Sequence, residues 1–254
     1  MLLRLAPTPS GFCHAGNRRN FATTAELARD LGAPLALRID DADAARYRPE
    51  YVDDIFATLR EMDIAWQVGP TNLADFEEHW SQRHRTDHYR AELVAALALG
   101  LPAYACGCSR SIQRGPASGG CVGGCRDRYL DWETDSTALR VVVPVGTTVA
   151  VGDSLIRLDE AMGDFIVWRR DGLPAYQLVS VVEDRDLRTT HIVRGRDLLS
   201  SSAAQIFLAP YVDADNVLSA TYVHHELVTD AEGHKLSKST LTGERPSRDQ
   251  GERQ

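Results

Sequence analysis

No stretch of this 254-residue chain approaches the ~18 consecutive apolar residues that a membrane-spanning helix requires, so no transmembrane segment is expected. A signal peptide is not expected either: MLLRLAPTPSG carries Arg4 inside its short apolar run and has no small-residue cleavage pattern. Positive charge is scarce. The 28 lysines and arginines against 36 aspartates and glutamates leave a net charge of −8, which argues against a strongly basic nucleic-acid surface while leaving room for a local basic patch. No internal repeat is visible. The material for a core is nevertheless present: 43% hydrophobic and 25% charged residues match an ordinary folded protein and exclude a disordered or collagen-like chain. The length fits one or two domains, or one large α/β domain with an insertion. These features predict a cytoplasmic protein.

Cysteine is also rare, but four of the five fall within twenty residues: Cys106, Cys108, Cys121 and Cys125. Their pattern is C-x-C-x12-C-x3-C. In a reducing compartment such a cluster holds metal more often than disulfides, and four thiolates form the tetrahedral soft-ligand set that zinc prefers in structural sites. The alternative is four unligated thiols in a Gly-rich loop. Zinc would hold together a segment, Gly115–Gly124, that can bury little by itself. Cys13, the fifth, reads as a small packed side chain or as an oxidation-prone thiol beside His14.

The rest of the chain alternates strand and helix. Leu2–Ala6 reads as a strand; Phe21, Ala25, Ala28 and Leu31 give a helical spacing stopped by Gly32. Pro34–Ile39 is a second strand. Pro49 opens a helix with Val52, Ile55, Phe56, Leu59 and Met62 on one face, and a further helix covers roughly Thr86–Leu99. Residues 103–163 break the rhythm and read as an insertion subdomain. Alternation resumes with Asp164–Arg170, a turn at Asp171-Gly172, Ala175–Val182, Thr189–Val193 and a helix near Leu198–Leu208. The polar tail 241–254 reads as mobile. This order implies an α/β fold with a parallel sheet.

Two loops carry chemistry. Between the first strand and first helix stands Arg4-Leu-Ala-Pro-Thr-Pro-Ser-Gly-Phe-Cys-His-Ala-Gly-Asn17. In open parallel sheets, ligands bind beyond the carboxyl ends of strands and phosphates favour helix N-termini. His14 could donate to a phosphate there, and Gly16 would let the backbone approach a nucleotide; a tight turn with an exposed histidine is the other reading. Late in the chain, Lys235-Leu-Ser-Lys-Ser239 places two ammonium groups in a loop, where they suit a departing pyrophosphate. Alone, such a stretch is usually a solvated loop.

In this order the two loops resemble the HIGH and KMSKS motifs of class I aminoacyl-tRNA synthetases. APTPSG…HAGN, LRIDDAD, GDFIVWRRDGLPAYQL, HIVRGRDLL and HKLSKS together resemble the glutamyl-tRNA synthetase catalytic domain, from about Arg4 to Ser239. The chain stops fifteen residues after Ser239. With the cysteine cluster, this resembles the truncated glutamyl-queuosine tRNA(Asp) synthetase family. The resemblance implies a Rossmann-like catalytic domain in two halves, 1–102 and 164–240 (the latter with the KLSKS loop), around a zinc-bearing, acceptor-binding-like insertion, 103–163. It implies activation of L-glutamate by ATP with Mg2+, then transfer to queuosine in the anticodon loop of tRNA(Asp).

Carried over residue by residue, the resemblance makes His14, Lys235 and Lys238 catalytic. Arg4, Thr8, Asp40, Tyr176 and Arg194 would hold the amino acid, and Pro7, His14, Gly16, Asn17, Asp197, Ser237 and Lys238 would hold ATP. Arg4 and Arg194, with the Tyr176 hydroxyl, would clamp the side-chain carboxylate, and Asp40 would face the α-ammonium. The family usually has glutamate at position 40 and often tyrosine at position 121. Losing one methylene at Asp40 retracts its carboxylate by roughly 1–1.5 Å, so the ammonium contact becomes water-mediated or the amino acid shifts. Asp197 also reads as a helix N-cap. Arginines 83, 85, 90, 110, 114, 126 and 128 could form a local surface for an RNA stem-loop. His79, His84 and His88 read as a solvated helix face, the 84/88 pair having metal-compatible spacing without an acidic partner. Two other functions share these motifs: an adenylating ligase that loads a carrier protein or small amine, and a catalytically silent binding protein.

Overall fold

Three buried residues make the first strand, β1 (Leu3–Leu5), which pairs in parallel with β2 (Leu35–Leu37), itself buried throughout. A strand hidden on both faces reads as a continuous apolar run rather than an alternating one, which is what both segments show. The computed structural model describes residues 1–108, 121, 124–132 and 136–227. These fall into two units, Leu2–Ser81 with His225, and Gln82–His224 with Met1.

In the Leu2–Ser81 unit, β1 and β2 are joined through α1 (Ala15–Asp30), whose buried side is Phe21, Thr24 and Ala28. Gly32, at φ +58°, ends the helix; its N–H returns to the Arg29 carbonyl, and the Ala33 N–H to that of Ala28. Helix α2 (Pro49–Glu61) starts on the proline, where the missing N–H has no partner to lose, and buries Val52, Ile55, Phe56 and Leu59. Met62 lies just beyond its end and is only half-buried. A single turn, α3 (Leu73–Asp75), is capped by the Asn72 side chain.

The Gln82–His224 unit begins with α4 (Thr86–Ala98), which buries Tyr89, Leu93 and Ala96. Strands β3 (Ala103–Cys106), β4 (Ala138–Val141) and β7 (Phe165–Trp168) form an antiparallel sheet in the order β3-β4-β7. Between β4 and β7 run a hairpin, β5 (Thr148–Val151) and β6 (Ser154–Arg157), and a short helix α5 (Leu158–Ala161). The unit continues with α6 (Tyr176–Asp186), β8 (His191–Gly195), α7 (Leu199–Leu208), α8 (Asp215–Leu218) and β9 (Thr221–His225). α6 and α4 are clamped by charge: Arg85 pairs with Glu183 and Asp186, and Arg185 grips Glu92 through two bonds of 2.6 and 2.7 Å. No helix among the described residues is long and apolar enough to cross a membrane.

Candidate active site

The loop after β1 is organised by the start of α1. His14 is the N-cap: its Nδ1 accepts the Gly16 N–H at 3.0 Å, and its own N–H donates to Asn17 Oδ1 at 3.1 Å, a reciprocal capping box. An accepting Nδ1 puts the ring proton on Nε2, so the imidazole is a neutral donor at the helix N-terminus. No acidic side chain stands in the first turn of α1 itself. Gly16 is required by the cap itself. A Cβ there would lie 2.9 Å from His14 Cε1 and 3.1 Å from Nδ1. Cys13 is buried and outside any disulfide, and its N–H donates to Asp54 Oδ2 of α2 at 2.7 Å, which fixes the loop.

The strand ends are locked together beside it. The Arg38 N–H donates to the Leu5 carbonyl at 2.9 Å and the Asp40 N–H to the Pro7 carbonyl at 2.8 Å. Arg4 and Pro7 are buried, and Thr8 is exposed. Asp40 receives two hydrogen bonds from Arg38, Nε to Oδ1 at 2.7 Å and Nη2 to Oδ2 at 3.0 Å. Two residues apart on extended chain, both side chains lie on one face. Sequence reasoning missed Arg38, although this spacing was its signal. Asp41, fully buried, accepts the Ser81 hydroxyl at 2.6 Å.

In the Gln82–His224 unit, Arg194 of β8 is 4% exposed and Tyr176 opens α6 at 41% exposed. Arg194 Nη1 donates to Gln205 Oε1 at 2.8 Å and to Ser202 Oγ at 3.2 Å, both on α7. Asp184 of α6 is 3.9 Å from Nη2, beyond hydrogen-bond length. Neither Ser202 nor Gln205 was singled out from the sequence; the signal was their i, i+3 spacing on an otherwise apolar helix face. Asp197 lies exposed inside a helical turn, Arg196–Leu198. Gly195 occupies the N-cap position, because the turn begins directly after β8, so the N-cap reading of Asp197 is corrected.

The four cysteines converge. Cys106 ends β3, Cys125 opens a helical turn, and the four sulfurs lie within 4.8 Å of one another. Cys108 is 3.4 Å from Cys121 and 3.6 Å from Cys125. Zinc–sulfur bonds of ~2.3 Å in a tetrahedron place sulfurs about 3.8 Å apart, so the donor set fits such an ion. Burial, and then hydrogen bonds from Cys121 and Cys125, push the Cys108 thiol up to about 12; burial raises Cys106 as well. Such a set ionises together only around a cation. Nearby, buried Asp164 accepts from Arg126, from Tyr104 Oη at 2.9 Å and from the Val143 N–H at 2.9 Å. Burial alone would raise its carboxyl, but these donors hold it below the usual range.

Among the described residues the cysteines are the one group of three or more clustered metal-ligand side chains. His88 pairs with Asp186 at 3.0 Å, and His79 with Asp75 at 3.3 Å. Of the arginines, Arg85 and Arg126 are held in ion pairs, Arg90 lies over Trp132 and Trp168, and Arg128 is exposed. Arg110, Arg114, Lys235, Ser237 and Lys238 lie outside the described residues.

A family model described as tRNA synthetases class I (E and Q), catalytic domain, matches residues 1–114 and 129–245, and the chain belongs to this family. The α/β class I synthetase fold expected from the motifs is thus the fold of the chain. Within the family, it is 35% identical to a glutamyl-Q tRNA(Asp) synthetase of Burkholderia mallei, over 93% of this chain and 80% of that protein. A glutamyl-Q tRNA(Asp) synthetase of Verminephrobacter eiseniae is 36% identical, over 92% of this chain and 80% of its own length. A glutamate–tRNA ligase of Frankia casuarinae is 33% identical, over 93% of this chain but 49% of the relative. A crystal structure of a glutamate tRNA ligase from Elizabethkingia meningosepticum in complex with its amino acid shares the fold, with a TM-score of 0.75 and 22% identity. It is matched over 94% of this chain and 52% of its own.

Proposed function

We propose that this chain activates glutamate with ATP and transfers the glutamyl group to queuosine in the anticodon loop of tRNA(Asp). The observation that carries the first half is Arg194: a buried guanidinium whose hydrogen bonds go to neutral oxygens, with the Asp184 carboxylate held off at 3.9 Å, can take a substrate carboxylate as its hydrogen-bonded anion. The second half rests on relatives named glutamyl-Q tRNA(Asp) synthetase that this chain matches over most of both lengths.

The chemistry needs no protein nucleophile. A glutamate carboxylate oxygen bonds to the α-phosphorus of Mg-ATP, the bond to the β-phosphate oxygen breaks, and pyrophosphate leaves. A hydroxyl of the acceptor then attacks the mixed anhydride, AMP departs, and the hydroxyl proton is released. Positioning and charge stabilisation supply the rate. His14, with its Nε2–H and the α1 N-terminus, serves the α-phosphate; Lys235 and Lys238 serve pyrophosphate, with Ser237 beside them. Pro7, Gly16, Asn17 and Asp197 belong to the ATP contacts, and Arg4, Thr8, Asp40 and Tyr176, with Arg194, to the amino-acid contacts. Cys106, Cys108, Cys121 and Cys125 would hold one zinc in a structural role, tying the end of β3 to the segment around Cys125.

The test is amino-acid-dependent ATP–pyrophosphate exchange across the standard amino acids, first without RNA, followed by charging of tRNA(Asp) with and without queuosine. Glutamate-dependent exchange and queuosine-dependent charging are expected. Exchange without charging of the modified tRNA would favour the reading of a ligase with another acceptor. No exchange with or without tRNA would favour a silent binder.

A further inference from the structure

Arg194 sits in a chain of side chains whose direction is fixed by chemistry. A guanidinium only donates, so Gln205 must turn Oε1 toward it. The Gln205 amide nitrogen then faces the other way and donates to Gln177 Oε1 at 3.2 Å. Gln177, next to Tyr176, must in turn aim its own nitrogen at Ser201 Oγ, 3.2 Å away, and Met162 Sδ, 3.8 Å away. On the other side of the guanidinium, the Ser202 hydroxyl donates to the Leu198 carbonyl at 3.1 Å while accepting from Arg194. Its oxygen also lies 2.9 Å from His224 Nε2, on a ring stacked with Tyr222 at an interplanar angle of 7°. Gln205 and Ser202 are fully buried, so each position is set by its partners rather than by water.

We propose that Gln205 is a positioning residue that sets the specificity of Arg194 for an anionic side chain. It holds the guanidinium through a neutral oxygen, which aims the group without adding a second anion to Asp184, 3.9 Å from Nη2. The inference rests on the reading above, in which Arg194 receives the side-chain carboxylate of the amino acid. A carboxylate at position 205 would keep the acceptor for Arg194, lose the donor to Gln177 Oε1 and set a negative charge against the guanidinium that the substrate needs. An uncharged thioether of similar length would replace the strong acceptor by a weak one and let the guanidinium turn toward Asp184.

The experiment measures ATP–pyrophosphate exchange by the full chain, as wild type, Gln205→Glu and Gln205→Met. It records KM for glutamate, KM for ATP, the glutamate-to-glutamine rate ratio and the thermal midpoint. Gln205→Glu is expected to raise KM for glutamate by about tenfold or more and to reduce the rate ratio, with KM for ATP unchanged. Gln205→Met is expected to raise KM for glutamate by a smaller factor and serves alone if the charged variant does not fold. Unchanged KM for glutamate in the folded variants overturns the inference, as does a parallel rise of both KM values with a lowered midpoint, the mark of a purely structural role. A wild-type chain without glutamate-dependent exchange overturns the reading itself, and the inference with it.

Discussion

Arg38 and Arg194 are both buried, at 5% and 4% exposed, yet their surroundings differ in charge. Arg38 spends two hydrogen bonds on one carboxylate two residues away. Arg194 spends its bonds on a hydroxyl and an amide from another helix, with a carboxylate only at 3.9 Å. The first arrangement is a two-bond ion pair at a strand end. The second holds a desolvated guanidinium mainly through neutral groups, with its nearest carboxylate beyond hydrogen-bond length. Burial by itself therefore does not mark a functional arginine; the charge state of what it touches does.

The sharpest way to break this contrast is to remove each guanidinium. Arg38→Met is expected to lower stability by about 3–5 kcal/mol, because it strands the Asp40 carboxylate in a largely buried position. Arg194→Met should cost less than half of that while reducing glutamate-dependent exchange about a hundredfold or more. Urea unfolding and exchange kinetics on both variants decide it: equal stability losses, or an active Arg194→Met, would erase the distinction.

The cysteine cluster poses the opposite problem, four thiols that can ionise together only around a cation. Cys108→Ser is expected to abolish stoichiometric zinc and to lower stability by about 3 kcal/mol, or roughly 6–12 °C for a chain of this size. Metal analysis beside calorimetry checks this, and a variant that keeps both its zinc and its midpoint contradicts a four-sulfur site.

A smaller effect belongs to Asp164, the carboxylate already supplied with donors. Its folded pKa is depressed below the ordinary 3.8. Its contribution to stability is therefore complete above about pH 4 and is lost as pH falls through the lower folded value. Wild type should lose stability more steeply than Asp164→Asn below pH 4. Parallel acid limbs in the two would show that Asp164 is not stabilised by its neighbours.

The smallest effect is expected at Gly16. Gly16→Ala drives a methyl against the His14 ring, and loss of that cap costs about 1 kcal/mol, or ~2–4 °C. Exchange should slow while KM for glutamate holds, since the role proposed for His14 lies in the nucleotide step. A variant with unaltered turnover would remove His14 from that step.

Much of this was readable along the chain. Pro49, Gly32 and the apolar spacing of Val52, Ile55, Phe56 and Leu59 are local signals, and the helices they announce form where expected. The cysteine spacing likewise announced a cluster that the fold brings together. The partners of Arg194 were only half readable: the i, i+3 spacing of Ser202 and Gln205 marks a polar pair on α7, but nothing along the chain connects that pair, or Asp184 of α6, to an arginine on β8. The reason for Gly16 was not readable, since the need for glycine comes from the position of the His14 ring, a matter of angstroms.

The order of motifs, the helices and strands outside 103–163 and the grouping of the four cysteines follow from residue types and spacing, because hydrophobic periodicity, turn chemistry and ligand softness act over a few residues. Which buried guanidinium is bonded to a carboxylate and which mainly to neutral groups was decided only by the folded chain, because a hydrogen bond depends on distances between segments that sequence separation does not encode.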